Sequence, residues 1–319
     1  MKKFVAIGHV DTGKSCLCGH LLYKCGYIDE RNMNIIRGKA KEDKMEKWVW
    51  SRVLDIYEEE MEKGKTHEYN TVDFNWNNEK YQLIDTPGHQ KFVRSMIEGI
   101  SDDVNIAMLL ISMKDNEFES SFERGMLKEH LVLARAVGIE HLIVVANKMD
   151  LIEWDEKECK KKVLKVIKYL VKELGWVKQN LHVVPITAFD GVGLVDKEGI
   201  PEWYKGKSLM ETLNDIPYSI RDNNVVHDGV SENNTFIVDL DILNTNGSII
   251  SLGYICVIHY NGLECEIIVD AIGGNKPFLR KGTHSRCSFT TKQNIKIATG
   301  TKIILRKNDY TVGFGKIIG

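Results

Sequence analysis

Asp85, Thr86, Pro87, Gly88 and His89 form a run that directly follows the short apolar stretch 81–84. A strand that ends in an aspartate and then turns at Pro-Gly offers a carboxylate and a free backbone N–H to a metal-bound phosphate. The imidazole of His89 can orient a water against a terminal phosphate. In such a site Asp85 supports the metal through water and the Gly88 N–H senses the terminal phosphate. The chemistry needs three further parts: a cradle for the phosphates, direct metal ligands and a reader of the base.

The cradle lies at the start of the chain. Gly8, His9, Val10, Asp11, Thr12, Gly13, Lys14 and Ser15 fit the phosphate-loop pattern of Gly, four residues, Gly, Lys and a hydroxyl residue. Apolar residues 4–7 read as a buried strand and residues 15–26 as a helix, so the loop opens a helix whose first N–H groups, Cys16 included, face an anion. The glycines let the backbone approach phosphate oxygens, Lys14 supplies positive charge to the β and γ phosphates, and the Ser15 hydroxyl can ligate Mg2+. The competing reading is an ordinary glycine turn between strand and helix.

The base reader follows the β-branched run 141–146, as Asn147, Lys148, Met149 and Asp150. A carboxylate at the edge of a ring pocket accepts two hydrogen bonds from guanine N1–H and N2, and adenine offers neither donor there. A site left unpaired by the wrong base discriminates by roughly 10⁴, which favours GTP and GDP over adenine nucleotides. Backbone groups of Thr187 and Ala188, after the stretch 181–186, are placed to contact the base oxygen. Asn147 as a strand end and Asp150 as a helix cap would explain that tetrapeptide without any base.

The elements that must position these residues alternate. Strands are expected at 4–7, 71–76, 80–84, 106–112, 142–146 and 181–186, with helix-period segments at 118–137 and 156–174. This predicts an α/β fold, a phosphate-loop domain over residues 1–216 with a mostly parallel, doubly wound sheet. Residues 29–64, rich in charge, Met and Trp, read as a helical insertion whose far end carries Thr66 toward the Mg2+ and γ phosphate. Lys157, Lys160, Lys161, Lys162, Lys165 and Lys168 make one helix basic on one side, as a solvated face in preference to an RNA site. Residues 217–234 read as a polar linker. Short alternating strands then follow at 236–243, 249–260, 263–272, 287–290, 302–306 and 311–318, with an Asn261-Gly262 hairpin turn, so residues 235–319 predict one small all-β barrel.

The 319 residues are 43% hydrophobic and 28% charged, enough for two domains with cores and no long disordered tail. Seven cysteines, an odd number spread along the chain, point to reduced thiols and a cytoplasmic setting. Cys16 and Cys18, with His9 and His20 near, allow a metal site, but buried thiols on a core helix are the stronger reading. No stretch is long enough to span a membrane. A net charge of −2 confines any nucleic-acid contact to a local patch.

GHVDTGKS, DTPGH and NKMD in this order, with a helical insertion before the second strand, resemble the translation-factor GTPases, the group of elongation factor 1-alpha and the eukaryotic class II release factor. EKGKT at 62–66, NEFESSFERGMLKEH and IEHLIVVANKMD are most similar to the release factor and its ribosome-rescue relative. GYICVIHYNGLECEI and TKIILRKNDYTVGFGKI resemble signature strands of that family's last barrel. The resemblance implies a monomeric Mg2+-dependent GTPase in which Ser15 and Thr66 ligate the metal and His89 becomes productive on the ribosome. It implies a class I release factor or a Pelota-like rescue factor as partner, with RNA contact through the ribosome. Relatives carry two barrels after the GTPase domain, and the short linker here leads to the expectation that the middle one is missing. A reduced elongation factor that binds aminoacyl-tRNA and a non-translational GTP-dependent regulatory module remain as alternatives.

Overall fold

The computed structural model describes residues 1–54, 70–85, 104–122, 127–217, 230–243, 249–260, 263–308 and 310–319. The chain divides into two compact units. In the first, six strands, β1 (Lys2–Gly8), β2 (Asn70–Trp76), β3 (Glu79–Asp85), β4 (Ile106–Ser112), β5 (His141–Asn147) and β6 (Leu181–Pro185), form a sheet in the order β2-β3-β1-β4-β5-β6. β3, β1, β4, β5 and β6 run parallel, and only β2 is antiparallel, to β3.

The reason for this arrangement is in the strand sequences. IAMLLIS of β4 is buried at every position, as a strand covered on both faces must be. Phe4, Ala6, Leu83, Met108 and Val145 pack with Leu17 and Leu21 of helix α1 (Lys14–Lys24) and Leu213 of a later short helix, while Val5, Ile7, Leu109 and Val144 are equally buried. Parallel strands put Gly8, Asp85, Ser112, Asn147 and Pro185 at one edge of the sheet. The chain leaves β1 for β2 and β3 on one side and returns to β4 on the other, so the loop after β1 sits where the strand order reverses, the usual ligand crevice of such sheets.

Helix α2 (Glu30–Glu42) begins the insertion, with the Asp29 carboxylate accepting from the Asn32 N–H at 2.7 Å. Its buried Met33 and Ile36 gather with Trp50 and Val53 into a small core of their own. α3 (Asp115–Phe122) and α4 (Leu127–Val137) occupy the span expected as one helix. α5 (Glu156–Lys172) starts at an Asp155 cap and buries Cys159, Val163, Val166 and Leu170 at helical spacing. Five lysines of its basic side are exposed, whereas Lys162 is buried and bonds the Met113 carbonyl and the Asp115 carboxylate. α6 (Leu209–Asp215) is opened by a capping box between Ser208 and Glu211.

The second unit contains β7 (Val230–Ile242), β8 (Ile250–Ser251), β9 (Ile255–Tyr260), β10 (Leu263–Ile272), β11 (Phe278–Leu279), β12 (His284–Ala298), β13 (Lys302–Lys307) and β14 (Tyr310–Ile317). Six of them close a barrel in the order β10-β12-β7-β14-β13-β9, and β8 pairs with β11. Phe236, Val238, Leu240 and Ile242 point inward at alternate positions of β7 and meet Ile258, Ile267, Phe289 and Leu305. β9 and β10 pair antiparallel with Tyr260 opposite Leu263, and the expected Asn261-Gly262 turn lies outside the described residues.

The structure corrects the expectation of a missing barrel: a closed six-stranded barrel is present, not absent. The expectation counted the polar residues up to 234 as linker, but β7 starts at Val230, and its opening residues pair with the far end of β12, from Ser231 opposite Ile297 to Asn233 opposite Ile295. Polar side chains there hide a strand because closure satisfies the backbone through pairing, whatever the side chains are. β12 likewise runs far beyond the apolar stretch 287–290.

Candidate functional site

β1 ends at Gly8, and the chain turns through Asp11, which holds φ 65°, to Gly13 at φ 93°, the residue that opens α1. The turn is held locally: the buried Thr12 hydroxyl donates to the His9 carbonyl at 2.7 Å. α1 has no side-chain cap and no acidic residue in its first turn, and Lys14 stands at its first position. A cation and uncapped N–H groups at the positive end of a helix dipole repel one another, and an anion seated there relieves both. The Lys14 ammonium donates to the Gly8 and His9 carbonyls at 2.9 and 3.0 Å. Burial pulls its pKa below the usual lysine value, and the nearby Asp85 carboxylate opposes that effect.

Asn147, at the end of β5 and only 2% exposed, ties this loop to the rest of the edge. Its Nδ2 donates to the Thr12 carbonyl at 2.8 Å, and its Oδ1 accepts from the Ala188 N–H at 2.9 Å. One amide therefore fixes the loop after β1 against the loop after β6. A Cβ on Gly13 would come within 2.6 Å of Asn147 Nδ2, so glycine is required both for the positive φ and for this approach.

Lys148, in left-handed conformation at φ 65°, extends over the same loop and donates to the Asp11 carbonyl at 2.7 Å and to the Glu117 carboxylate at 2.6 Å. Burial alone would raise the Glu117 carboxyl, but bonds from Lys148, Ser112 and Lys114 outweigh it and hold the pKa at about 2. Asp150 follows in a single 3-10 turn, Met149–Ile152, with its side chain exposed at the edge. Thr187 and Ala188 are buried in a tight turn in which the Thr187 carbonyl accepts from the Gly191 N–H at 2.9 Å.

Gly8 through Cys16, Asn147, Lys148, Asp150, Thr187, Ala188 and Asp85 thus stand at the carboxyl ends of the parallel strands of one sheet. Ser15 is half-buried at the start of α1, and burial pushes the Cys16 thiol up to about 11. Thr66, Gly88 and His89 lie outside the described residues. Among the described residues no group of three or more His, Cys, Asp or Glu side chains could hold a metal ion, and all seven cysteines are free. Among them, too, no helix is long and apolar enough to cross a membrane.

Two features escaped sequence reasoning. Glu117 reads as one more acid on an amphipathic helix, and its only sequence signal is its position after a β4 strand that ends at the same edge as Asn147. The contact of His20 with Trp50, whose rings stack at 3.6 Å, has no sequence signal, since the two lie on separate elements.

A mostly parallel sheet with a phosphate loop after its first strand and an Asn-Lys-x-Asp turn after its fifth defines a nucleotide-binding domain of the phosphate-loop class. A profile of the elongation factor Tu GTP binding domain matches residues 1–219, and the chain belongs to that family. Over 220 residues it is 41% identical to the "Eukaryotic peptide chain release factor GTP-binding subunit" of Schizosaccharomyces pombe, an alignment that covers 67% of this chain and 33% of that protein. It is 40% identical over 213 residues to "Elongation factor 1-alpha 2" of Euplotes crassus, covering 66% of this chain and 48% of that one. The chain thus spans a third to a half of the length of these relatives. The fold is similar to that of the S. cerevisiae Ski7 GTPase-like domain, solved bound to GDP and inorganic phosphate, with a TM-score of 0.79, 15% identity, and coverage of 99% of this chain and 97% of that chain.

Proposed function

We propose that this protein binds GTP and hydrolyses it in translation, in concert with a class I release factor or a Pelota-like rescue factor on the ribosome. The observation that supports the reading best is the Asn147 amide, which joins the phosphate loop at Thr12 to the base loop at Ala188 and so holds the two motifs side by side. The arrangement is suited to in-line attack of water on the γ phosphate, where positioning and charge neutralisation supply the rate.

In this reading Lys14 and the amides of residues 8–16 cradle the phosphates, and Asp150 accepts from the guanine edge. Lys148 covers the base from the side of Asp11, and Thr187 and Ala188 close the pocket near the base oxygen. Ser15 and Asp85, a hydroxyl and a carboxylate flanking Lys14, are oxygen donors of the kind Mg2+ takes, with Thr66 the third residue proposed to hold it. Bound Mg2+ would neutralise charge on the β and γ phosphates. His89 orients the attacking water, and the Gly88 N–H senses the γ phosphate.

The test is the GTPase rate of the chain alone, with ribosomes, and with ribosomes plus a class I factor. Stimulation that needs both, and that His89→Ala abolishes without weakening GTP binding, is expected. Hydrolysis indifferent to ribosomes would overturn the translational part of the proposal. GTP-dependent retention of aminoacyl-tRNA would replace it with the elongation reading, which the 40% identity to an elongation factor keeps in view.

A further inference from the structure

The turn after β6 is gripped from outside by the insertion. Trp50, which is 7% exposed, donates its indole N–H to the Phe189 carbonyl at 2.9 Å. The same ring lies flat on His20 of α1, with centroids 3.6 Å apart and planes within 9°. His20, 4% exposed, makes a hydrogen bond through Nδ1 to the Ala188 carbonyl at 2.8 Å. Two consecutive carbonyls of the base loop are therefore held by a stacked pair, one member from the phosphate-loop helix and one from the insertion.

The surrounding backbone is shaped to admit this pair. A Cβ on Gly19 would fall 1.9 Å from the Trp50 carbonyl, so α1 can carry only glycine where the insertion crosses it. A Cβ on Gly191 would fall 2.5 Å from the His20 ring, and that residue sits at φ 78°. Phe189 itself points outward and is half exposed, so the loop is fastened through its backbone and not through its apolar side chain.

We infer that Trp50 and His20 are positioning residues for the base loop, and that the seating of the insertion on this loop sets how fast a guanine nucleotide is released. This rests on the guanine-nucleotide reading of the site. Ala188 is held on its N–H side by Asn147 and on its carbonyl side by His20, so the two peptide units that flank it are both fixed only while the insertion keeps the His20 ring in place. An insertion that lifts away removes the stack and the Phe189 bond together, and leaves the His20 ring without the indole that holds it against the Ala188 carbonyl.

The experiment measures the dissociation rate of a fluorescent GDP analogue from the full chain by stopped flow. Trp50→Phe keeps an aromatic ring on His20 but loses the N–H donor. Its rate should rise by about fivefold, the equivalent of one neutral hydrogen bond. Gly191→Ala, which drives a methyl group into the His20 ring from the loop side, should raise the rate at least as much. The double variant should fall short of the product of the two, because both loosen the same loop through neighbouring members of one stacked pair. Trp176→Phe is the control: its indole N–H also donates to a backbone carbonyl, that of Glu140 at 3.2 Å, but at the start of β5 and away from the base loop. It should leave the rate unchanged.

A Trp50→Phe rate equal to that of the parent, or a Trp176→Phe rate raised as much, overturns the inference while the nucleotide site stands. Failure of the parent chain to bind the GDP analogue at all overturns the site reading itself. If Trp50→Phe does not fold, Gly191→Ala decides alone, and an unchanged rate there sinks the idea.

Discussion

The Lys148 ammonium lies 2.6 Å from a Glu117 carboxylate oxygen, and the same ammonium reaches the Asp11 carbonyl. Glu117 is thereby the counter-charge that keeps Lys148 over the phosphate loop, although the two residues lie on different elements. Removing the charge while keeping the shape, Glu117→Gln, should weaken GDP binding by roughly ten- to a hundredfold, the range for a charge-assisted hydrogen bond. Titration with a fluorescent nucleotide measures this. Unchanged affinity would show that Lys148 needs no such partner.

The same carboxyl makes stability depend on pH in a definite direction. Its folded pKa, about 2, lies below the ordinary value of 4.5, so its contribution is complete above the ordinary range and is lost as the pH falls toward about 2. Urea midpoints of the parent should therefore drop more steeply between pH 5 and 3 than those of Glu117→Gln. Parallel pH profiles would contradict the assignment of that slope to Glu117.

Gly13 is sandwiched between its own positive φ and the Asn147 amide. Gly13→Ala places a methyl group 2.6 Å from Asn147 Nδ2 on backbone that disfavours any side chain, so the loop or the amide must shift. Since the loop is the phosphate cradle of the proposed site, nucleotide affinity should fall by more than about tenfold, with strain of order 1–3 kcal/mol. Isothermal titration with GDP measures the loss, and a variant that binds like the parent would mean that the cradle lies elsewhere.

Asn147→Ala tests the joint itself. Two buried hydrogen bonds disappear, to Thr12 and from Ala188, and each leaves a buried backbone group without its partner. At about 1 kcal/mol per bond, with more for the stranded groups, stability should fall by roughly 2–4 kcal/mol. Chemical denaturation reads the loss, and a cost below about 1 kcal/mol would show that ordinary loop contacts suffice.

Much of this site is legible in sequence because its parts are local. A phosphate loop needs Gly8, Gly13 and Lys14 at fixed spacing, and a strand covered on both faces needs a run such as IAMLLIS, so motif and periodicity place β1, β4 and β5 within a residue or two. What sequence reasoning misses depends on partners far along the chain. Glu117 matters because β4 and β5 are neighbours. Trp50 matters because the insertion folds back on α1. The opening of β7 reads as linker because its polar side chains give no alternation, and only pairing with β12 reveals it as strand. Conversely the Ser208–Glu211 capping box that opens α6 is a purely local signal, a serine followed three residues later by a glutamate.

The barrel offers a test that is independent of any nucleotide. Phe289 on β12 is directly opposite Phe236 on β7, with ring centroids 5.9 Å apart at 85°, and it is fully buried. Closure leaves the interior no way to collapse around a missing ring without breaking strand pairing, so Phe289→Ala should cost about 3–5 kcal/mol. All six tryptophans lie at or before residue 203, so indole fluorescence follows only the first unit and far-UV circular dichroism follows both. The variant should lower the urea midpoint seen by circular dichroism, and an unfolding free energy within about 1 kcal/mol of the parent would show that this pair does not hold the barrel together.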